Sequence, residues 1–264
     1  MTSSHVKSAV RVLEILETLA AHAQPMPTMA IARECDIPKS SAHHILNVML
    51  ERNYVTYHDH ERAWGLGVSI FEVGSAYLRR TPLQRLGRPL LEGVCADTGE
   101  ACHLAILHGT DVLYLDKEQP AWDGPNLVTD VGVRLPAHLT AVGWAILAEL
   151  PEAEVRASFE ATPMATRTGS GPASLGALLE NLAAVRARGF AFDDQMITPG
   201  ICCLAAPVFS HSDRPVAALG VSYLAAKGNP ALVTRFADAV CAAAARLSAS
   251  LGWRKPGVRD RGAA

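Results

Sequence analysis

Residues 28–57 read TMAIARECDIPKSSAHHILNVMLERNYVTY, and this stretch decides how the rest of the chain is read. Thr28 is a helix-capping residue type, and Met29, Ile31 and Ala32 then share one side of a short helix to Cys35. Asp36-Ile37 breaks that period, and Pro38 suits the first turn of a second helix, where its missing N–H leaves no bond unmade. At about 100° per residue, Ala42, Ile45, Leu46, Met49 and Leu50 form one apolar stripe. Opposite it lie Ser40, His44, Asn47 and Glu51, flanked by Ser41 and His43, with Lys39 at the N-terminal end. Short hydrogen-bonding side chains beside a cation let a helix approach phosphates and base edges closely. The pair therefore predicts a helix-turn-helix whose second helix reads a DNA major groove. An ordinary amphipathic helix pair is the alternative for this segment taken alone.

Working outward, residues 6–21 place Val6, Val10, Leu13, Leu16 or Glu17, and Ala20 near a helical period, which predicts a first helix packed under the pair. Gln24-Pro25-Met26-Pro27 ends it. Asn53 terminates the reading helix, and residues 54–57 and 63–66 make a hairpin around the polar tip 58–62. Three helices and a hairpin form a winged helix-turn-helix over residues 1–66, with Arg62 or the tip histidines placed to touch DNA. Residues 67–81 read as a linker helix, apolar enough on one side to pair with a partner subunit, and Thr81-Pro82 marks the boundary.

Beyond it the pattern changes. Helices over about 83–97, 138–150, 152–159, 174–188 and 230–251 alternate with strands over 100–108, 112–118, 127–133, 190–194, 201–209 and 215–224. Strands joined by hairpins and flanked by helices predict an α+β fold: an antiparallel sheet covered by helices over residues 82–253. Residues 254–264 read as a disordered tail.

Composition narrows the function classes. The 264 residues are 49% hydrophobic and 19% charged, and no apolar run approaches membrane-spanning length, so a cytoplasmic globular protein is expected. Six cysteines show no C-x-x-C pair, and His58-Asp59-His60-Glu61 reads as a solvated turn, so no metal and no cofactor is implied. Residues 1–80 hold eight Lys/Arg against eight Asp/Glu, so there is no polybasic footprint. One such reading unit makes few phosphate contacts, and a working DNA binder of this kind should present several at once.

With these elements in place, the chain resembles the IclR family of bacterial transcription regulators over nearly its whole length. The resemblance rests on IPKSSAHHIL (37–46), WGLG (64–67), DTGEACHLAIL (97–107), VLYLDK (112–117), LPAHLTAVGWAIL (135–147), GFAFDDQMITPGICCLAAPVF (189–209) and VAALGVS (216–222), in that order. It implies a winged helix-turn-helix joined by a linker helix to a GAF-like effector domain, acting as a homodimer or dimer of dimers on a palindromic operator in double-stranded DNA. Carried over by position, the effector lining would include Ala141, Val142, Asp193, Ile201, Cys203, Gly220 and Ser222. An apolar floor with one hydroxyl, one thiol and one carboxylate can fix the polar end of a small molecule; core packing is the alternative for each residue, and for Cys203 it stands level with ligand contact.

The sequence departs from the family pattern at Trp144, where a basic residue usually follows the glycine, at Gln195-Met196 in place of an acidic pair, and at Cys202 in place of an arginine. With Trp122 on the adjoining loop, these changes predict an effector bearing an aromatic ring, an acid or a related amide or hydrazide. The expected role is a repressor whose operator affinity that molecule controls. Two rivals are a metal or redox sensor built on Cys202-Cys203 with Asp193 and nearby histidines, and an enzyme fused to a helix-turn-helix. Against the enzyme, no dinucleotide loop, G-x-S-x-G elbow or H-E-x-x-H occurs.

Overall fold

A computed structural model describes residues 6–120 and 127–254, the side chains of 78–80 apart. It divides into two compact units, residues 1–80 and 81–264.

The first unit is built on α1 (Lys7–Ala21), α2 (Thr28–Glu34) and α3 (Lys39–Glu51), followed by a hairpin of β1 (Val55–His58) and β2 (Ala63–Leu66) and then α4 (Val68–Arg80). Ile15, Leu19, Ile31, Ala32, Ala42, Leu46, Met49, Val55 and Trp64 close one small core. Asp36 and Asn53 take left-handed backbone conformations (φ 48° and 59°), which short polar side chains tolerate, and there the chain leaves α2 and α3. At Gly67 an added Cβ would lie 2.2 Å from the Asn53 carbonyl oxygen, so only glycine lets the chain leave β2 this close to the end of α3.

Three local expectations change here. Thr28 is the first residue of α2, not its cap, and its hydroxyl accepts the Trp64 indole N–H at 2.9 Å, pinning the helix to the wing. Leu50 is exposed at the end of the α3 stripe. In α1 the buried residues are Ile15 and Leu19, while Val6, Val10 and Leu13, expected to face inward, lie outside.

The second unit is a six-stranded antiparallel sheet in the order β5-β4-β3-β8-β7-β6. The strands are β3 (Ala101–His108), β4 (Asp111–Glu118), β5 (Arg134–Pro136), β6 (Ala191–Asp194), β7 (Ile201–Phe209) and β8 (Pro215–Leu224). One face carries α5 (Pro82–Thr98) and α9 (Pro230–Ser250), whose Leu91, Val94, Phe236, Val240 and Leu247 pack on Leu104, Leu204, Leu219 and Val221. The other carries α6 (Ala141–Leu147), α7 (Glu152–Phe159) and α8 (Leu175–Arg188), packed on Ala105, Tyr114, Ala205 and Ala218. The small side chains on this second face let α6 settle low on the sheet, and the site described next lies beside it.

Residues 127–133 are not the expected strand: Gly132 has φ 87° and the chain turns there before β5. The expected helix 138–150 is a 3₁₀ turn at Ala137–Leu139 and then α6, started by the Thr140 hydroxyl accepting the Gly143 N–H at 3.1 Å. The expected tail falls, from residue 255 on, outside the described residues. Among the described residues no helix is long and apolar enough to cross a membrane.

Candidate functional site

Two sites emerge, one in each unit. In the first, α3 presents Lys39, Ser40, His43 and His44 to solvent, with Ser41 and Asn47 half-buried beside them, while Ala42, Leu46 and Met49 anchor the opposite side. The helix is thus held by its apolar stripe with its short polar side chains free to face a ligand. Arg62 stands exposed at the wing tip with φ 50°.

In the second unit the site is a row across the sheet. Asp193 on β6 pairs with Cys203 on β7, Cys203 pairs with Ser222 on β8, and Ser222 pairs with Ala101 on β3. Directly opposed residues share a face, so one carboxylate, one thiol and one hydroxyl stand side by side. His103, two residues along β3, joins them: its Nε2 lies 3.1 Å from the Ser222 hydroxyl and 3.4 Å from that of Thr129. Tyr114 on β4 meets the imidazole edge to face at 5.6 Å.

These residues line a cavity of about 460 Å³ including its mouth, bounded above by Ala141 and Val142 of α6, by Leu127, Val128 and Thr129, and by Ile197, Thr198 and Ile201. Gly220 forms part of the floor, where an added Cβ would meet the Leu204 carbonyl oxygen and a Val142 methyl, each at 3.0 Å. The 195–200 loop is tied to the carboxylate, because the Met196 N–H donates to Asp193 Oδ1 at 2.8 Å. Gln195, at φ 59°, turns this loop, and its side-chain oxygen accepts the Gly200 N–H at 2.9 Å.

Burial sets the charges. It pushes the Asp193 carboxyl up to about 7, against the pull of the Met196 N–H. Burial lowers His103 to about 3, helped by the Lys117 charge, so its ring is neutral. The Cys203 thiol is driven well above its ordinary value, first by burial and then by Asp193, and Tyr114 moves the same way for the same first reason. The cavity therefore offers a titrating carboxylate among neutral donors and acceptors. Such a set binds a small polar group in an apolar setting.

Ala141, Val142, Asp193, Ile201, Cys203, Gly220 and Ser222 are thus brought together on one cavity. Trp144 is a correction to the expected lining: its indole N–H donates to the His138 carbonyl at 2.8 Å, and it borders a separate open groove with Asn181, Phe192 and Asp194. Trp122 lies outside the described residues. His103, Tyr114, Thr129, Thr140 and Thr198 were not foreseen in the lining. The strand alternation that put Cys203 and Ser222 inward would also have placed His103 there given the β3–β8 pairing, and Tyr114 given the β3–β4 pairing. Among the described residues no group of three or more His, Cys, Asp or Glu is placed to hold a metal, and Cys202 and Cys203 are free thiols.

Comparisons with known proteins agree across both units. The IclR helix-turn-helix domain matches residues 8–59, and the domain described as "Bacterial transcriptional regulator IclR C-terminal" matches residues 75–249. The HTH-type transcriptional regulator BhcR of Paracoccus denitrificans is 30% identical over 253 residues, covering 96% of this chain and 90% of that protein. The transcriptional repressor IclR of Escherichia coli is 28% identical over 252 residues, covering 95% and 92%. An IclR homolog from Microbacterium hydrocarbonoxydans, solved in complex with 4-hydroxybenzoate, shares the fold with a TM-score of 0.80 at 23% identity, covering 93% of this chain and 99% of that one. With an exposed polar reading helix in one unit, a polar-rowed cavity in the other and family matches over both, the chain belongs to the IclR family of bacterial transcriptional regulators, DNA-binding proteins under small-molecule control.

Proposed function

We propose that this chain is a cytoplasmic repressor without enzymatic activity, which binds a palindromic operator as a homodimer or dimer of dimers and is controlled by a small aromatic acid, amide or hydrazide. The observation that carries the effector reading is the row Asp193–Cys203–Ser222 opening on one cavity beside α6. Its lining sets this polar row against apolar walls of Leu127, Leu135, Val142 and Ile201, the mix of surfaces that suits a small ring with a polar substituent. A ring of that kind, 4-hydroxybenzoate, is the compound in the Microbacterium complex.

The DNA side rests on Lys39, Ser40, Ser41, His43, His44 and Asn47 of α3, with Arg62 on the wing. Assembly rests on apolar side chains left in solvent on α1 and α4, among them Leu13, Val68, Phe71 and Val73. In this reading the effector binds one subunit arrangement better than another and, through residues 67–80, alters the spacing of paired α3 helices. Half-sites about 34 Å apart then fit less well.

Gel-shift titration with the DNA upstream of its own coding sequence, repeated with a panel of aromatic and two- or three-carbon acids and amides, tests this. The expected result is a retarded complex that only ring compounds weaken. A complex indifferent to rings but released by glyoxylate or pyruvate refutes the effector reading.

A further inference from the structure

The effector reading leaves open which end group the cavity selects, and the charges around it answer that. Among the described lining residues none is Lys or Arg, and the undescribed segment 121–126 contains neither. His103 is neutral because burial opposes its protonation. Cys203 and Tyr114 are held in their protonated, neutral forms by the same cause. Lys117, whose charge acts on His103, is engaged with Asp130 at 2.8 Å. Asp194, next in the chain to Asp193, adds negative charge. Among the described lining residues the one group that carries a charge above about pH 7 is therefore the Asp193 carboxylate. Its Oδ1 accepts the Met196 N–H and the carboxylate also accepts from the Cys203 thiol, which leaves lone pairs of its two oxygens for donors on a ligand.

A carboxylate ligand placed here would set two like charges together in a desolvated space with no cation between them, an arrangement stable only if one of the two takes up a proton. A ligand with N–H or O–H donors meets no such penalty. Its carbonyl, if it has one, can accept from the Ser222 or Thr129 hydroxyl. Resting on the reading of this cavity as the effector site, we propose that the effector is an uncharged or cationic ring compound that donates hydrogen bonds to Asp193, of the arylamide, arylhydrazide or arylamine class, and not an aromatic carboxylate.

Calorimetric titration of the full chain with benzamide, benzohydrazide, benzylamine and benzoate at pH 8 and pH 6 tests this. At pH 8 at least one of the three donor compounds should bind tenfold or more tightly than benzoate. Benzoate should bind with proton uptake at pH 8 and gain affinity at pH 6, where Asp193 is already largely protonated, while benzylamine, which pairs with the ionised carboxylate, should lose affinity over the same interval. In Asp193→Asn the preference at pH 8 should shrink to less than threefold. The wild-type pH series carries the same information should that variant fold poorly. Benzoate binding at pH 8 as tightly as all three donors overturns the inference. The cavity reading then still stands if Gly220→Val, which fills the floor, abolishes that binding. Binding by none of the four overturns the ring-sized reading and this inference with it.

Discussion

Cys203 and Ser222 face each other as register partners on β7 and β8, with Sγ and Oγ 3.0 Å apart. The same hydroxyl lies 3.1 Å from His103 Nε2, so a single serine ties three strands together on the cavity side of the sheet. Removing it leaves a buried imidazole nitrogen with only the longer contact to Thr129. Ser222→Ala should cost roughly 1–3 kcal/mol of stability and weaken effector binding, leaving DNA affinity without effector unchanged. Urea midpoints and calorimetry on the same preparation check this, and a variant with normal effector affinity argues against the row as the binding surface.

The raised Asp193 carboxyl makes a signed prediction about pH. Its folded value of about 7 lies above the ordinary 3.8, so the native state holds this proton more firmly than the unfolded chain does. The stability it confers is fully present below 3.8 and is lost as pH rises to about 7. Three pH units correspond to on the order of 4 kcal/mol. His103, lowered from 6.5 to about 3, acts in the opposite sense, its contribution being present above 6.5 and lost as pH falls toward 3. The two offset each other in wild type, so the informative quantity is a difference. Wild-type stability relative to Asp193→Asn should decline from pH 4 to about pH 7 and level off above it in denaturant titrations. A flat difference means the carboxylate is solvated or paired.

Much of this was legible in the sequence where one face of an element is unambiguous. The α3 stripe of Ala42, Leu46 and Met49 repeats at helical spacing with polar residues opposite, and the structure buries those three. In α1 two apolar stripes compete, and the period alone cannot say that Ile15 and Leu19 go inward while Val6, Val10 and Leu13 stay out. The alternation Leu127, Thr129, Val131, Val133 imitates a strand, but the left-handed Gly132 turns the chain before pairing begins. His103 sits in the apolar strand ACHLAILH and reads as a core residue until the register with β8 sets it beside Ser222. Trp144 departs from the family pattern inside a motif that lines the cavity, yet the bond from its indole to the His138 carbonyl fixes it elsewhere.

The reading helix separates two kinds of DNA contact. His44 and Asn47 are one turn apart on its outer side, whereas Lys39 stands at its start. Asn47→Ala or His44→Ala should each cost roughly 1–3 kcal/mol on the operator and abolish discrimination against a scrambled duplex. Lys39→Ala should weaken both duplexes alike and lower the slope of log affinity against log salt by about 1. Fluorescence anisotropy across a salt series distinguishes the two. Equal damage to effector affinity would contradict the division of labour between the units.

Assembly makes the last prediction. Phe71 on α4 is 74% exposed, and Val68 and Val73 on the same helix are 62% and 58% exposed. A monomer that left such a helix in water would carry an aggregation-prone patch, whereas a second copy of the chain would cover it. The reading helix also needs a partner, since the first unit has no net charge to hold DNA through phosphates alone. Sedimentation should therefore show a dimer or tetramer. Phe71→Asp should shift it toward monomer and reduce operator affinity tenfold or more, because two half-sites are no longer gripped together. Effector titration of that variant should be unchanged, since the cavity is built wholly from residues of the second unit. A variant that stays oligomeric and binds DNA normally places the subunit contact on some surface other than α4.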